Sequence, residues 1–198
     1  MRTGLGSAGA CLLLSLGGIL LTACPKKQVV EEKPTVIETQ TVGNLKKEAI
    51  DLNNDKRPDI WNYSSTEGRS RLVRKESDLN FDGKVDVTSH FEAGQVVKEE
   101  VDADFDGKID WTDYYGEGGK RTRQELDTDF DGELDTWRYF DAGLLIRKER
   151  DTDGNGKPDY FEHYENDQVS RTGRDTDGDG KEDTWDTEGP AKRSGENK

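Results

Sequence analysis

The chain has 198 residues, 30% of them hydrophobic and 36% charged, and a formal net charge of −14 at pH 7. Such an acidic chain repels phosphate backbones, so no nucleic-acid partner is expected. An apolar content this low would by itself suggest disorder unless something other than a large core orders the chain.

Residues 1–23 open with one positive charge, Arg2, run through a Leu- and Gly-rich apolar stretch and close on small residues. This reads as a secretory signal, too short to span a bilayer. Its end, Leu21-Thr22-Ala23-Cys24, resembles the lipobox of bacterial lipoproteins. The resemblance implies cleavage before Cys24, acylation of that thiol and a membrane partner through the lipid. It places the chain in the bacterial cell envelope, and Pro25 after the cysteine favours the outer membrane over the inner. Cys11 would leave with the signal, so Cys24 would be the only thiol and no intramolecular disulfide is possible. For a small exported domain, metal is then the remaining staple.

Residues 24–49 show no sustained periodicity and read as the lipidated cysteine followed by a flexible tether, with room for a short helix near Leu45–Ile50. Residues 50–188 form a repeat domain, and 189–198 read as a disordered polar tail. Within the domain, loops of the form D-x-[DN]-x-[DN]-x-x-x-D start at Asp51, Asp78, Asp102, Asp127, Asp151 and Asp175. The spacings are 27, 24, 25, 24 and 24 residues, a period that marks a repeat array.

Positions one, three, five and nine of each loop are the candidate metal ligands. They are Asp51, Asn53, Asp55 and Asp59; Asp78, Asn80, Asp82 and Asp86; Asp102, Asp104, Asp106 and Asp110; Asp127, Asp129, Asp131 and Asp135; Asp151, Asp153, Asn155 and Asp159; and Asp175, Asp177, Asp179 and Asp183. Alternate residues can surround one point only if the chain turns tightly at position six, where Gly83, Gly107, Gly132, Gly156 and Gly180 stand. The first loop has Lys56 there and is the weakest candidate. A donor set made wholly of oxygen excludes zinc and copper and points to several Ca²⁺ ions, up to six, ahead of manganese or magnesium.

An EF-hand would carry Glu at position twelve, and only Glu162 does so. A dockerin would follow its loop with a Leu-rich helix. Segments such as Asp151–Tyr160 and Asp175–Thr184 instead resemble bacterial thrombospondin type-3 repeats, a resemblance confined to the loops. It implies structural calcium binding. The missing cysteines and long intervening segments depart from that pattern.

Those segments align on one another. Position eleven is Trp61, Thr88, Thr112, Trp137, Phe161 and Trp185; position thirteen is Tyr63, His90, Tyr114, Tyr139 and His163, with a polar residue between the two. Apolar, polar, apolar predicts a half-buried strand, and turn signals such as Asp141-Ala142-Gly143 then lead into a second one. Arg74, Lys98, Arg123 and Arg147 stand two residues before Glu76, Glu100, Glu125 and Glu149, on one strand face, which allows either a ladder of ion pairs or a solvated charged face. The expected fold is all-β: tandem repeats of a calcium loop plus a β-hairpin, chained into an antiparallel, solenoid-like ladder. His90 and His163 fall in a tyrosine column, and no nucleophile, phosphate-loop or zinc motif is present, so no enzyme is expected. The expected role is a membrane-anchored calcium-binding scaffold with a protein or polysaccharide partner. Its rivals are a calcium-dependent adhesion or motility lipoprotein and an enzyme accessory or cryptic hydrolase.

Overall fold

A computed structural model describes residues 33–186. The signal segment, Cys24 and the tail from 189 lie outside them. The described residues form one sheet of 13 antiparallel strands in sequence order, an open meander. In chain order the strands are β1 (Thr35–Val42), β2 (Leu45–Asp51), β3 (Ile60–Ser65), β4 (Arg71–Ser77), β5 (Val87–Glu92), β6 (Gln95–Val101), β7 (Trp111–Tyr115), β8 (Arg121–Leu126), β9 (Thr136–Asp141), β10 (Leu144–Arg150), β11 (Tyr160–Glu165), β12 (Gln168–Arg174) and β13 (Thr184–Asp186). The all-β hairpin ladder is therefore the fold.

The sheet starts earlier than the sequence suggests. Residues 35–49, read as tether, supply β1 and most of β2, and Leu45–Ile50 is strand where a short helix had room. Thr35, Val36, Ile37, Thr39, Thr41 and Val42 are β-branched, which stiffens χ1 in favour of extended backbone. Gly43, at φ 62, makes the tight turn into β2.

All six acidic loops leave an even-numbered strand and enter the next odd one, so they line up at one end of the strands; the short turns line up at the other. Each turn-connected hairpin carries one register shift, at Val36/Glu38, Tyr63/Ser64, His90/Phe91, Tyr114/Tyr115, Leu145/Arg147 and His163/Tyr164. The loop-connected pairs β2–β3, β4–β5, β6–β7, β8–β9 and β10–β11 pair without a shift. In five of the turn-connected hairpins the shift lies beside the turn, where a bulge sharpens local twist; in β1–β2 it lies at the loop end, close to the Thr35–Asp51 pair.

Burial is thin. Among the described residues the buried apolar side chains are Ala49, Val101 and Phe161, while most buried residues are polar. Of the two readings of the charged columns, the ladder of ion pairs is the one formed. Arg74 pairs with Glu76 at 3.1 Å, Lys98 with Glu100 at 2.6 Å, Arg147 with Glu149 at 2.5 Å, and Arg123 with Glu125. The same glutamates accept hydrogen bonds from the position-thirteen column: Tyr63 to Glu76 at 2.8 Å, Tyr114 to Glu125 at 3.0 Å and Tyr139 to Glu149 at 3.1 Å. His90 takes the tyrosine's place, with Nε2 at 3.1 Å from Glu100.

Guanidinium groups also lie over the rings, Arg74 at 4.0 Å from the Tyr63 centroid and Arg147 at 4.5 Å from that of Tyr139. Each such stack is worth about 0.5–1 kcal/mol and each exposed ion pair ~0–1 kcal/mol. Repeated along the sheet, these small terms and the backbone ladder take the place of a deep core.

Candidate metal loops

The six loops share one backbone. Position nine closes each of them by donating its amide to the carbonyl just before position one, from Asp59 to Ile50 at 2.8 Å through to Asp183 to Arg174 at 2.9 Å. Position one donates in turn to the carbonyl of position nine in the preceding loop, as Asp78 does to Asp59 at 2.8 Å and Asp102 to Asp86 at 2.8 Å. The loops are thus stitched to one another, and the sheet ladder runs on into the loop row.

Side-chain oxygens then fold each loop inward. The position-one carboxylate accepts the position-six amide in every loop, at 2.8 Å from Lys56, 2.7 Å from Gly83, 2.8 Å from Gly107, and 2.6 Å from Gly132, Gly156 and Gly180. Position five accepts from position seven, as Asp106 does from Lys108 at 2.8 Å. Position nine accepts from position two, as Asp86 does from Leu79 at 2.6 Å. The bond from position seven to position five is an Asx turn, the local chemistry by which Asp and Asn hold tight loops, and the other two span the loop. Position seven also ties neighbours together: Lys108 Nζ reaches the Asp131 carbonyl and Lys157 Nζ the Gly178 carbonyl, each at 2.8 Å.

Two backbone positions are left-handed. Position six was expected, with Gly107 at φ 95; Lys56 adopts φ 72 in the same place, so the first loop keeps the shared geometry at the expense of strain. Position four was not expected. Phe81, Phe105 and Phe130 stand there at φ 64, 67 and 62, while the last two loops use Gly154 and Gly178. The only signal in the sequence was that glycine pair, masked in the other repeats by phenylalanine and asparagine.

Positions one and nine are buried in the first three loops: Asp51, Asp59, Asp78, Asp86, Asp102 and Asp110 are each 1–3% exposed. Positions three and five face solvent. The structure draws positions one, three and nine into carboxylate clusters in three loops: Asp102, Asp104 and Asp110; Asp127, Asp129 and Asp135; and Asp175, Asp177 and Asp183. In each cluster one oxygen per residue lies within 4.8 Å of the others. In the first two loops Asn53 and Asn80 put an amide oxygen where these clusters have a carboxylate. Asp151, Asp153 and Asp159 of the fifth loop form no such cluster among the described residues. Position five stays outside all three clusters, held instead by its bond to position seven.

These clusters can hold a hard cation. Every donor is oxygen, and a carboxylate offers about four lone-pair sites, of which the loop amides use between one, at Asp102, and three, at Asp175. Asp102 uses Oδ2 for Gly107, and its buried Oδ1 has no hydrogen-bond partner. Burial alone would raise the pKa of Asp151, but the amides of Gly156, Gly154, Asn155 and Asp153 outweigh it and hold the group below the usual carboxylate range. The Gly180 amide does the same for Asp175, and the Thr176 amide and hydroxyl for Asp183. Asp129 goes the other way, pushed up by the neighbouring charge of Asp131, a repulsion that a cation would relieve.

No protein-family profile and no curated protein matches the chain. Several solved structures match in part. Accessory secretory protein 1, 2 and 3 of Streptococcus pneumoniae matches at 13% identity and TM-score 0.37, covering 46% of this chain and 17% of that one. The GtfA/B complex matches at 14% and 0.35, covering 54% and 20%. The Glycosylation Associate Protein (Gap123) complex of Streptococcus agalactiae matches at 16% and 0.31, covering 59% and 19%. The match therefore spans a fifth or less of each of those chains, and nothing about function follows from likenesses this slight.

Proposed function

We propose that this chain is a lipid-anchored scaffold of the bacterial envelope whose loops bind several calcium ions as structural staples. The carrying observation is the repetition of one loop geometry six times, three of the loops gathering carboxylates from positions one, three and nine within 4.8 Å. Calcium is favoured over magnesium because it accepts irregular shells of many oxygens from a flexible loop. The ions would supply positive charge in a row of carboxylates beside a sheet with almost no apolar core. They would lower the repulsion that otherwise opposes closure of each loop. Cys24 would carry the lipid, and the sheet would present an extended surface to a protein or polysaccharide.

Calcium titration of the full chain by calorimetry, followed in parallel by circular dichroism and thermal melting, tests this reading. The expected result is several ions bound at ~10⁻⁴ to 10⁻³ M, as for exposed extracellular loops, together with a higher Tm. Absence of heat, or a melting curve indifferent to excess chelator, would remove the calcium reading.

A further inference from the structure

Among the described residues the open sheet has two edge strands, β1 and β13. β1 has eight residues, all of them exposed. A free edge presents a row of unpaired amides and carbonyls, a template for another extended segment. Proteins usually block such edges with lysine, proline or inward-pointing charge. β1 contains no lysine, arginine or proline, its one charge is Glu38, and its single irregularity is the register shift at Val36/Glu38. Beyond that shift, Glu38–Val42 pairs residue for residue with β2.

We infer that β1 is the interface of a two-fold dimer, in which the β1 edges of two copies pair antiparallel and join their sheets into one. The sequence of the regular stretch is self-complementary. With the two-fold axis at Gln40, Gln40 faces Gln40 of the second copy, Thr39 faces Thr41, and Glu38 faces Val42. No charge meets a like charge, which would oppose cross-strand pairing. Threonine and glutamine side chains can hydrogen-bond to their own kind across the seam.

Charge also selects the antiparallel arrangement. Thr35 pairs with Asp51, so the acidic loop row lies at the N-terminal end of β1. Antiparallel pairing sends the two loop rows to opposite ends of the joined sheet, whereas parallel pairing would set them side by side in a chain of formal charge −14. Pairing β1 of one copy with β13 of another would be heterologous and would propagate without closing. The β1–β1 contact is isologous and stops at two.

Cysteine cross-linking reads this contact directly. In a full-length chain with Cys11 and Cys24 replaced by serine, the Gln40 Cα atoms of the two copies would lie about 5 Å apart, within disulfide reach. Gln40→Cys is expected to give a covalent dimer under mild oxidation, and Thr184→Cys, on the other edge, is not. Without oxidant, sedimentation equilibrium should show a dimer that Thr39→Lys with Thr41→Lys converts to monomer, because lysines would then face each other. Both threonines are exposed, so an unchanged circular dichroism spectrum shows that the variant is still folded. A chain that stays monomeric at every concentration, or one that cross-links equally from both edges, overturns the inference.

Discussion

Asp102→Asn separates a cation ligand from a loop cap, because the two roles call for opposite signs under the two conditions that matter. Asp102 and Asp110 are 3% and 2% exposed. Their nearest oxygens lie within 4.8 Å, where two unit charges repel by about 3 kcal/mol at an effective dielectric of ~20. Asp104 is exposed, so its share is largely screened. Asparagine keeps the oxygen that accepts the Gly107 amide, removes the charge, and gives the neighbouring carboxylates a donor. In chelator the variant should therefore be more stable than the parent, by about 1–3 kcal/mol once screening is allowed for. In calcium at a hundred times its dissociation constant a filled site stabilises by about 2.7 kcal/mol, and the variant forfeits most of that. The order of stability should therefore reverse. Urea denaturation of both proteins, in chelator and in calcium, measures this. A variant destabilised equally in the two buffers would mean that Asp102 merely caps the loop.

Other expectations follow from the same geometry. Gly107→Ala places a Cβ in open space but at φ 95, so a loss of about 1–2 kcal/mol should come from backbone strain alone; Lys56→Gly, relieving φ 72, should gain about 1 kcal/mol by the same assay. Glu149, 7% exposed, accepts from Arg147 and Tyr139, and Glu149→Ala should cost about 1–2 kcal/mol in thermal or urea unfolding. Burial pulls the Glu100 pKa up, but Lys98 and His90 overcome it, leaving the carboxyl below its ordinary 4.5. Its contribution to stability is thus present above pH 4.5 and lost as pH falls through the lowered value. Glu100→Gln should flatten that acid limb in chelator, and an unchanged limb would show the pairing to be incidental. Burial and the Glu162 carboxylate push the Tyr164 hydroxyl up to about 12, so its phenol should ionise last in an alkaline ultraviolet titration, and Glu162→Gln should bring it down.

Much of the fold was legible because the chain repeats itself. Once the loops are aligned, each column is sampled up to six times, and alternation at positions eleven to thirteen marks a strand more firmly than one copy could. The shared face of the Arg and Glu columns, and the equivalence of His90 with tyrosine, followed from columns in the same way, while the pairing of those charges was decided by the structure. The β1–β2 hairpin was not legible: it precedes the first loop, belongs to no column, and its Lys- and Glu-rich second strand resembles a linker. The left-handed φ at position four was hidden too, since phenylalanine is a residue from which that conformation is not inferred.

The sequence by itself determined the number of loops, their oxygen-only chemistry and the hairpins between them, because each is a local pattern repeated at a fixed period. Only the tertiary structure decided which carboxylates converge. Positions one and nine are brought together by the bonds that stitch each loop to the next, and in the first three loops they are buried, while position five, an equal candidate by spacing, is held by the amide of position seven. It also decided where the sheet ends. Whether a strand is interior or edge depends on what lies beside it in space, and that is how the unpromising segment at Thr35–Val42 becomes an edge strand of the described sheet.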